Sequence, residues 1–91
     1  MLNTPEAQFQ YPSGLAVDSY GNVYVSDSNN QLIRKITPSG DVSTLAGNYP
    51  NHGASNGLGT AAEFYSPEGL AFFQGSLYVG DAGNNLVRII Q

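Results

Sequence analysis

The chain carries one unit twice. Phe9 to Ile36 reads FQYPSGLAVDSYGNVYVSDSNNQLIRKI, and Phe64 to Ile90 reads FYSPEGLAFFQGSLYVGDAGNNLVRII. The offset is 55 residues from Phe9/Phe64 through Ala16/Ala71 and 54 from Tyr24/Tyr78 to Ile36/Ile90, so one residue has been lost in the intervening turn. A length change of that size in a hairpin costs little. Twelve of the 27 aligned pairs are identical, including Pro12/Pro67, Gly14/Gly69, Asp27/Asp81, Asn30/Asn84 and Arg34/Arg88. A repeat at such a period marks supersecondary units that cannot bury their apolar faces alone and must stack to do so.

Within the unit the local signals predict strands. Gly14 to Ser19 and Asn22 to Ser28 are short runs rich in Val, Tyr and Leu, joined through Tyr20-Gly21. Gly69 to Phe73 and Ser76 to Ala82 repeat them, joined through Gln74-Gly75, so each pair reads as a hairpin. Asp27 to Gln31 and Asp81 to Asn85 read as loops whose Asn and Gly residues tolerate positive φ, leading to third strands at Leu32 to Thr37 and Leu86 to Gln91. Thr37-Pro38-Ser39-Gly40 suits a type I turn, with Pro second and Gly fourth, and Asp41 to Gly47 follows as a fourth strand. In Leu32 to Ile36 and Leu86 to Ile90, apolar side chains occupy odd and even positions alike, so both faces of each sheet require cover. Sheets of four strands arranged radially as propeller blades supply that cover.

Composition agrees. In 91 residues, 11 Gly and 5 Pro punctuate a chain that is 41% hydrophobic, which suits many short elements better than a helix bundle. Charged residues make up 11%, well below the usual level of about 25%. Cysteine is absent, which removes disulfides, thiolate metal sites and cysteine nucleophiles together. Arg34, Lys35 and Arg88 are the three cations against seven acids, a net charge of −4 that argues against a nucleic-acid partner. No apolar run is long enough to span a bilayer, and the polar stretch Leu2 to Gln10 does not resemble a secretory leader, so a membrane partner is not expected either.

The pattern P-x-G-L-A, then G-N-V-Y-V-x-D, then N-N-x-L-I-R-K-I, ending T-P-x-G-x-V-x-T-L-A-G, resembles the NHL repeat, a β-propeller blade named for Asn-His-Leu. The likeness covers the first copy nearly end to end and the second through its third strand, and Gly57 to Phe64 is similar to linkers of bacterial members. It implies a first strand at a central channel, a fourth at the rim and a ring of about six blades. The resulting division is a lead-in at 1–8, blade 1 at 9–47, a Gly/Asn-rich linker at 48–63 and blade 2 at 64–91. Blade 2 is expected to lack its outer strand, giving seven strands where eight would complete two blades; LNTPEAQF at the N-terminus aligns with the linker and does not replace it. The expected fold is therefore all-β, with two four-stranded antiparallel blades per chain, the second truncated, completing a six-bladed propeller by homotrimerisation.

Two blades leave two faces uncovered. A domain of this size buries only about 60% of the surface its unfolded chain exposes. Burying apolar faces gains about 25 cal/mol per Å², enough over a large joint to outweigh an association cost of order 4 to 15 kcal/mol. Head-to-tail contacts close into a ring when the rotation divides a full turn, which makes the chain its own expected partner, most simply as a trimer. An open or filamentous state is the alternative, because an incomplete second blade presents a bare edge. A third is that the two blades belong to a larger propeller enzyme or ligand-binding protein.

Chemistry is sparse. Gly57 to Ala62 matches G-x-G-x-x-A, but the dinucleotide fingerprint needs a strand before it and a long helix after it. Here Pro67 leaves room for one or two helical turns, for which Thr60 and Glu63 form a capping box, so the segment reads as linker. His52, the one histidine, lies in a loop with Asn51 and Gly53, where a metal site would need carboxylates from other blades. That loop lacks the alternating acids of a calcium site, and no spacing pairs His52 with a serine and an acid.

Asp27 and Asp81 end the second strand of each unit, where the carboxylate either accepts backbone N–H groups of the following turn or pairs with Arg34 or Arg88. Recurrence in both copies favours architecture, because catalytic groups break a repeat's symmetry. Tyr24 and Tyr78 recur likewise and read as packing between blades with a hydrogen-bonding tip. Asp18/Phe73 and Tyr20/Gly75 differ between copies, so a site at the channel mouth would use those turns.

No catalytic, cofactor-binding or metal-ligating residue is assigned. The expected function is a non-catalytic, self-assembling scaffold whose loops are presented to a protein or small ligand at the channel mouth. The resemblance implies scaffolding more often than catalysis, although fold does not fix function. Related propellers with lyase or lactonase-like activity need histidines and acids at the channel, and RNA-binding members need a basic face.

Overall fold

A computed structural model of the chain describes residues 9–47 and 63–90. Seven strands are formed among them: β1 (Pro12–Val17), β2 (Val23–Asp27), β3 (Leu32–Ile36), β4 (Val42–Gly47), β5 (Pro67–Phe73), β6 (Ser76–Asp81) and β7 (Leu86–Ile90). They make two antiparallel meanders, one of four strands in the order β1-β2-β3-β4 and one of three in the order β5-β6-β7. The expected fourth strand of the first unit is β4, and the second sheet has three strands among the described residues. The lead-in at 1–8 and nearly all of the linker at 48–63, with His52, the Gly57–Ala62 motif and Thr60 of the capping box, lie outside the described residues.

Turn chemistry sets the registers. Gly40 sits at φ +94° and donates to the Thr37 carbonyl at 2.8 Å, while Thr37 N–H donates to Asp41 O at 2.9 Å, closing the β3–β4 hairpin as the Pro-Ser-Gly sequence requires. The β5–β6 hairpin is tighter: Gln74 and Gly75 both take positive φ, the two-residue geometry that follows strand twist. Strands β1 and β5 begin two residues earlier than the apolar runs suggest, at Pro12 and Pro67. Proline is admissible at a strand's first residue, and in both copies a register shift follows it, between Pro12 and Gly14 and between Pro67 and Leu70.

The loops after β2 and β6 are single 3-10 turns, Ser28–Asn30 and Ala82–Asn84. Each ends on a left-handed residue. In the second copy that residue is Asn85, as expected; in the first it is Gln31 at φ +59°, although Asn30 stands beside it. The turn geometry fixes the position, and the side chain at Gln31 has another use, described below.

The core lies between the sheets. Tyr24, Ile33 and Ala46 of the first sheet bury against Leu77 and Val79 of the second and against Phe64, with Ala16, Leu45, Leu70, Phe72 and Ile90 packed around them. Strand alternation therefore turns the opposite sides outward. On β1, Leu15 and Val17 are 69% and 60% exposed; on β7, Val87 and Ile89 are 73% and 56% exposed. Both sheets were expected to need cover on two faces; among the described residues the outward side of the second sheet is open at Val87 and Ile89, and that of the first is open along β1, while Val25 and Ile36 on the same side are buried.

Candidate functional site

Three groups of side chains organise the molecule, and the first is present twice. Asp27 is fully buried: its Oδ1 accepts the backbone N–H of Gln10 at 2.6 Å, and its Oδ2 accepts Asn30 Nδ2 at 2.9 Å and an Arg34 guanidinium N–H at 3.3 Å. Asp81 repeats every contact, from Tyr65 N–H at 2.8 Å, Asn84 Nδ2 at 2.8 Å and Arg88 at 2.9 Å. Each guanidinium lies over a phenylalanine ring, Arg34 at 5.2 Å from the Phe9 centroid and Arg88 at 5.0 Å from that of Phe64. Of the two roles open to the aspartates, pairing with arginine is the one adopted. The backbone N–H that each accepts comes from the segment leading into β1 or β5 and not from the turn that follows, and neither carboxylate caps its 3-10 turn. The cluster thus ties the start of a unit to the end of its second strand and to its third. A charge taken out of water has to be paired in this way.

The second group is the joint between the sheets. Tyr24 stacks on Phe72 with ring centroids 5.8 Å apart and planes within 2°. Beside that stack the Ser26 hydroxyl donates to the Glu68 carbonyl and the Ser28 hydroxyl to the Pro67 carbonyl, while Gln31 Oε1 accepts Ser66 N–H. Ser13 Oγ lies 2.6 Å from Ser28 Oγ, so the hydroxyls form a chain. The backbones approach closely enough that a Cβ on Gly14 would overlap the Glu68 carbonyl oxygen. Tyr24 therefore packs between blades as expected. Tyr78 does not do so within the chain, being half-buried on the outward side of the second sheet. None of Ser26, Ser28 and Gln31 was singled out from sequence; the one available signal was their replacement by Gly80, Ala82 and Asn85 in the second copy.

The third group occupies the unmatched turn. Asp18 Oδ1 accepts the backbone N–H groups of Tyr20 and Asn22 at 2.9 and 3.0 Å, and its Oδ2 accepts Asn22 Nδ2 at 2.9 Å and the Tyr24 hydroxyl at 2.8 Å. The Asn22 side chain, followed by the Tyr24 hydroxyl and the two backbone donors, lowers the Asp18 carboxyl to about 2 against the opposing effect of desolvation. Burial, reinforced by the neighbouring Asp18 charge, raises the Tyr24 phenol to about 12. Asp18 thus builds its own turn, with Tyr20 exposed beside it. Phe73 at the equivalent place can do none of this. Among the described residues, no three His, Cys, Asp or Glu side chains come together in a way that could hold a metal ion.

The chain is similar to known proteins in sequence and in backbone. The chain is 37% identical over 87 residues to Protein SUPPRESSOR OF QUENCHING 1, chloroplastic, of Arabidopsis thaliana, covering 93% of this chain and 8% of that protein. It is 29% identical to NHL repeat-containing protein 2 of Bos taurus, covering 94% of this chain and 12% of that protein. Its backbone superposes with a TM-score of 0.81 and 27% identity on an auxiliary nutrient binding protein from Bacteroides thetaiotaomicron, covering 94% of this chain and 24% of that one. The chain thus spans about a tenth of the length of these curated relatives and about a quarter of the solved structure. With both copies of its unit, residues 9–36 and 64–90, matching the NHL repeat, the chain belongs to the NHL repeat family.

Proposed function

We propose that the chain is a non-catalytic propeller scaffold: two NHL blades whose outward faces are covered by further copies of the same chain, in the simplest case three, forming a ring that presents its loops to a ligand. The observation that carries this reading is the pair of uncovered apolar surfaces. Leu15 and Val17 on one side and Val87 on the other stand at positions whose repeat counterparts, Leu70, Phe72 and Ile33, are packed in the joint, and Ile89 is exposed beside Val87. A turn such as Asp18–Asn22 at the channel mouth, held by its own carboxylate, suits ligand presentation, and a nutrient-binding role of the kind named for the Bacteroides protein is consistent with a propeller of this type.

Two measurements on the purified chain test the proposal. A single species near three times 9.6 kDa in sedimentation equilibrium supports the ring, and a folded species of one chain at every concentration rejects it. Stoichiometric bound metal in elemental analysis would overturn the non-catalytic assignment.

A second reading rests on the small share of each relative that the chain covers. On that reading the same faces are covered by further blades of one longer polypeptide, and a 91-residue chain expressed alone stays monomeric or aggregates.

A further inference from the structure

Gly14 and Gly69 are the same position in the two units, yet their surroundings differ. A Cβ on Gly14 would overlap the Glu68 carbonyl oxygen across the joint, whereas a Cβ on Gly69 would find nothing within 4 Å. Neither glycine is held at positive φ, so no backbone requirement explains Gly69. Around Gly69, on the same outward face, stand Tyr78, Val87 and Ile89, the counterparts of Tyr24, Ile33 and Lys35. The outward face of the first sheet carries Leu15 and Val17, the counterparts of Leu70 and Phe72. Among the described residues, one chain therefore displays both halves of a joint that it already contains, complementary to each other and open at Leu15, Val17, Gly69, Val87 and Ile89.

We propose that a second copy of this chain docks its β1 on the Gly69 face, in the register of the internal joint. The Ser13 carbonyl of the incoming copy then takes the place at Gly69 that the Glu68 carbonyl holds at Gly14, and Val17 lies on Tyr78 as Phe72 lies on Tyr24. This inference rests on the reading that copies of the chain cover the open faces, and adds to it the contact position and the strength. The copy-to-copy joint is the weaker of the two. Where Ser26 and Ser28 donate to the Glu68 and Pro67 carbonyls, the second unit offers Gly80 and Ala82, which have no hydroxyl to donate to Ser13 or Pro12 of the next copy. Asn85, in the place of Gln31, has the shorter amide.

Two variants of the 91-residue chain, compared with the unaltered protein by sedimentation equilibrium, decide the matter. Gly69→Ala adds a methyl where the free chain has space, so its urea midpoint in dilute solution stays that of the unaltered chain while association weakens at least about tenfold, because the methyl meets the incoming backbone. Gly80→Ser with Ala82→Ser restores the missing hydroxyls and tightens association about tenfold, a gain that misfolding cannot imitate. If the unaltered chain associates and neither variant changes its affinity, the register is wrong although the assembly stands. If the unaltered chain does not associate at all, the assembly reading fails and takes this inference with it.

Discussion

The two sheets share one pattern and differ in what that pattern meets. In the first, the Tyr24 side of the sheet closes on a neighbour, with Ile33 wholly buried; in the second, the same side is bare, with Val87, the counterpart of Ile33, 73% exposed. The residues that hold a unit together, Phe, Asp, Asn and Arg, are unchanged between copies, while those that hydrogen-bond across the joint, Ser26, Ser28 and Gln31, have diverged. Contacts inside a blade are thus kept in each copy, and contacts between blades follow the particular neighbour.

If the comparison holds, the largest effect comes from what is shared. Asp27→Ala and Asp81→Ala each take the buried carboxylate away from a half-buried arginine and lose three hydrogen bonds, so each should lower stability by about 3–5 kcal/mol in urea denaturation followed by circular dichroism. Loss in one blade only would break the claim that the clusters are equivalent. The next effect separates the blades. Gly14→Ala forces the joint apart and should cost about 1–3 kcal/mol, whereas Gly69→Ala in the dilute single chain should change stability by less than about 0.5 kcal/mol. Ser28→Ala leaves the buried Pro67 carbonyl without its donor, at about 1–3 kcal/mol, while Ala82→Ser in the single chain should be close to neutral.

The smallest effect is in pH. Asp18 is depressed in the folded chain, so the stability it supplies is present above its unfolded value near 4 and is lost as pH falls toward about 2. Tyr24 is raised, so its contribution is full below about pH 10 and is lost as pH rises to about 12. Asp18→Asn should remove the acid limb of this dependence in thermal melts. Phe73 supplies no such limb to the second blade.

Much of this was legible in the residues. Short apolar runs and the turn signatures at Thr37–Gly40 and Gln74–Gly75 placed all seven strands within about two residues, because local geometry controls them. Two local features escaped: strands opening on proline, and the left-handed position falling to Gln31 when an asparagine was adjacent. The joint was less legible. That Tyr24 packs between blades followed from its recurrence, but Ser26 and Ser28 donate to carbonyls 42 and 39 residues away, and a hydroxyl's distant acceptor leaves no periodic trace. The aspartates showed the converse: two partners were open from spacing, and the acceptor geometry chose arginine together with the N–H groups of Gln10 and Tyr65, which the turn reading had not included.

Because the chain has no cysteine, a single introduced thiol reports on one position alone. The rate at which Val87→Cys reacts with a soluble thiol reagent, followed across a protein dilution series, asks directly whether the bare side of the second sheet becomes what the Ile33 side of the first already is. The expected result is fast labelling at the lowest concentrations and protection that grows in step with association. Fast labelling at every concentration, with the sheets still folded, would contradict it.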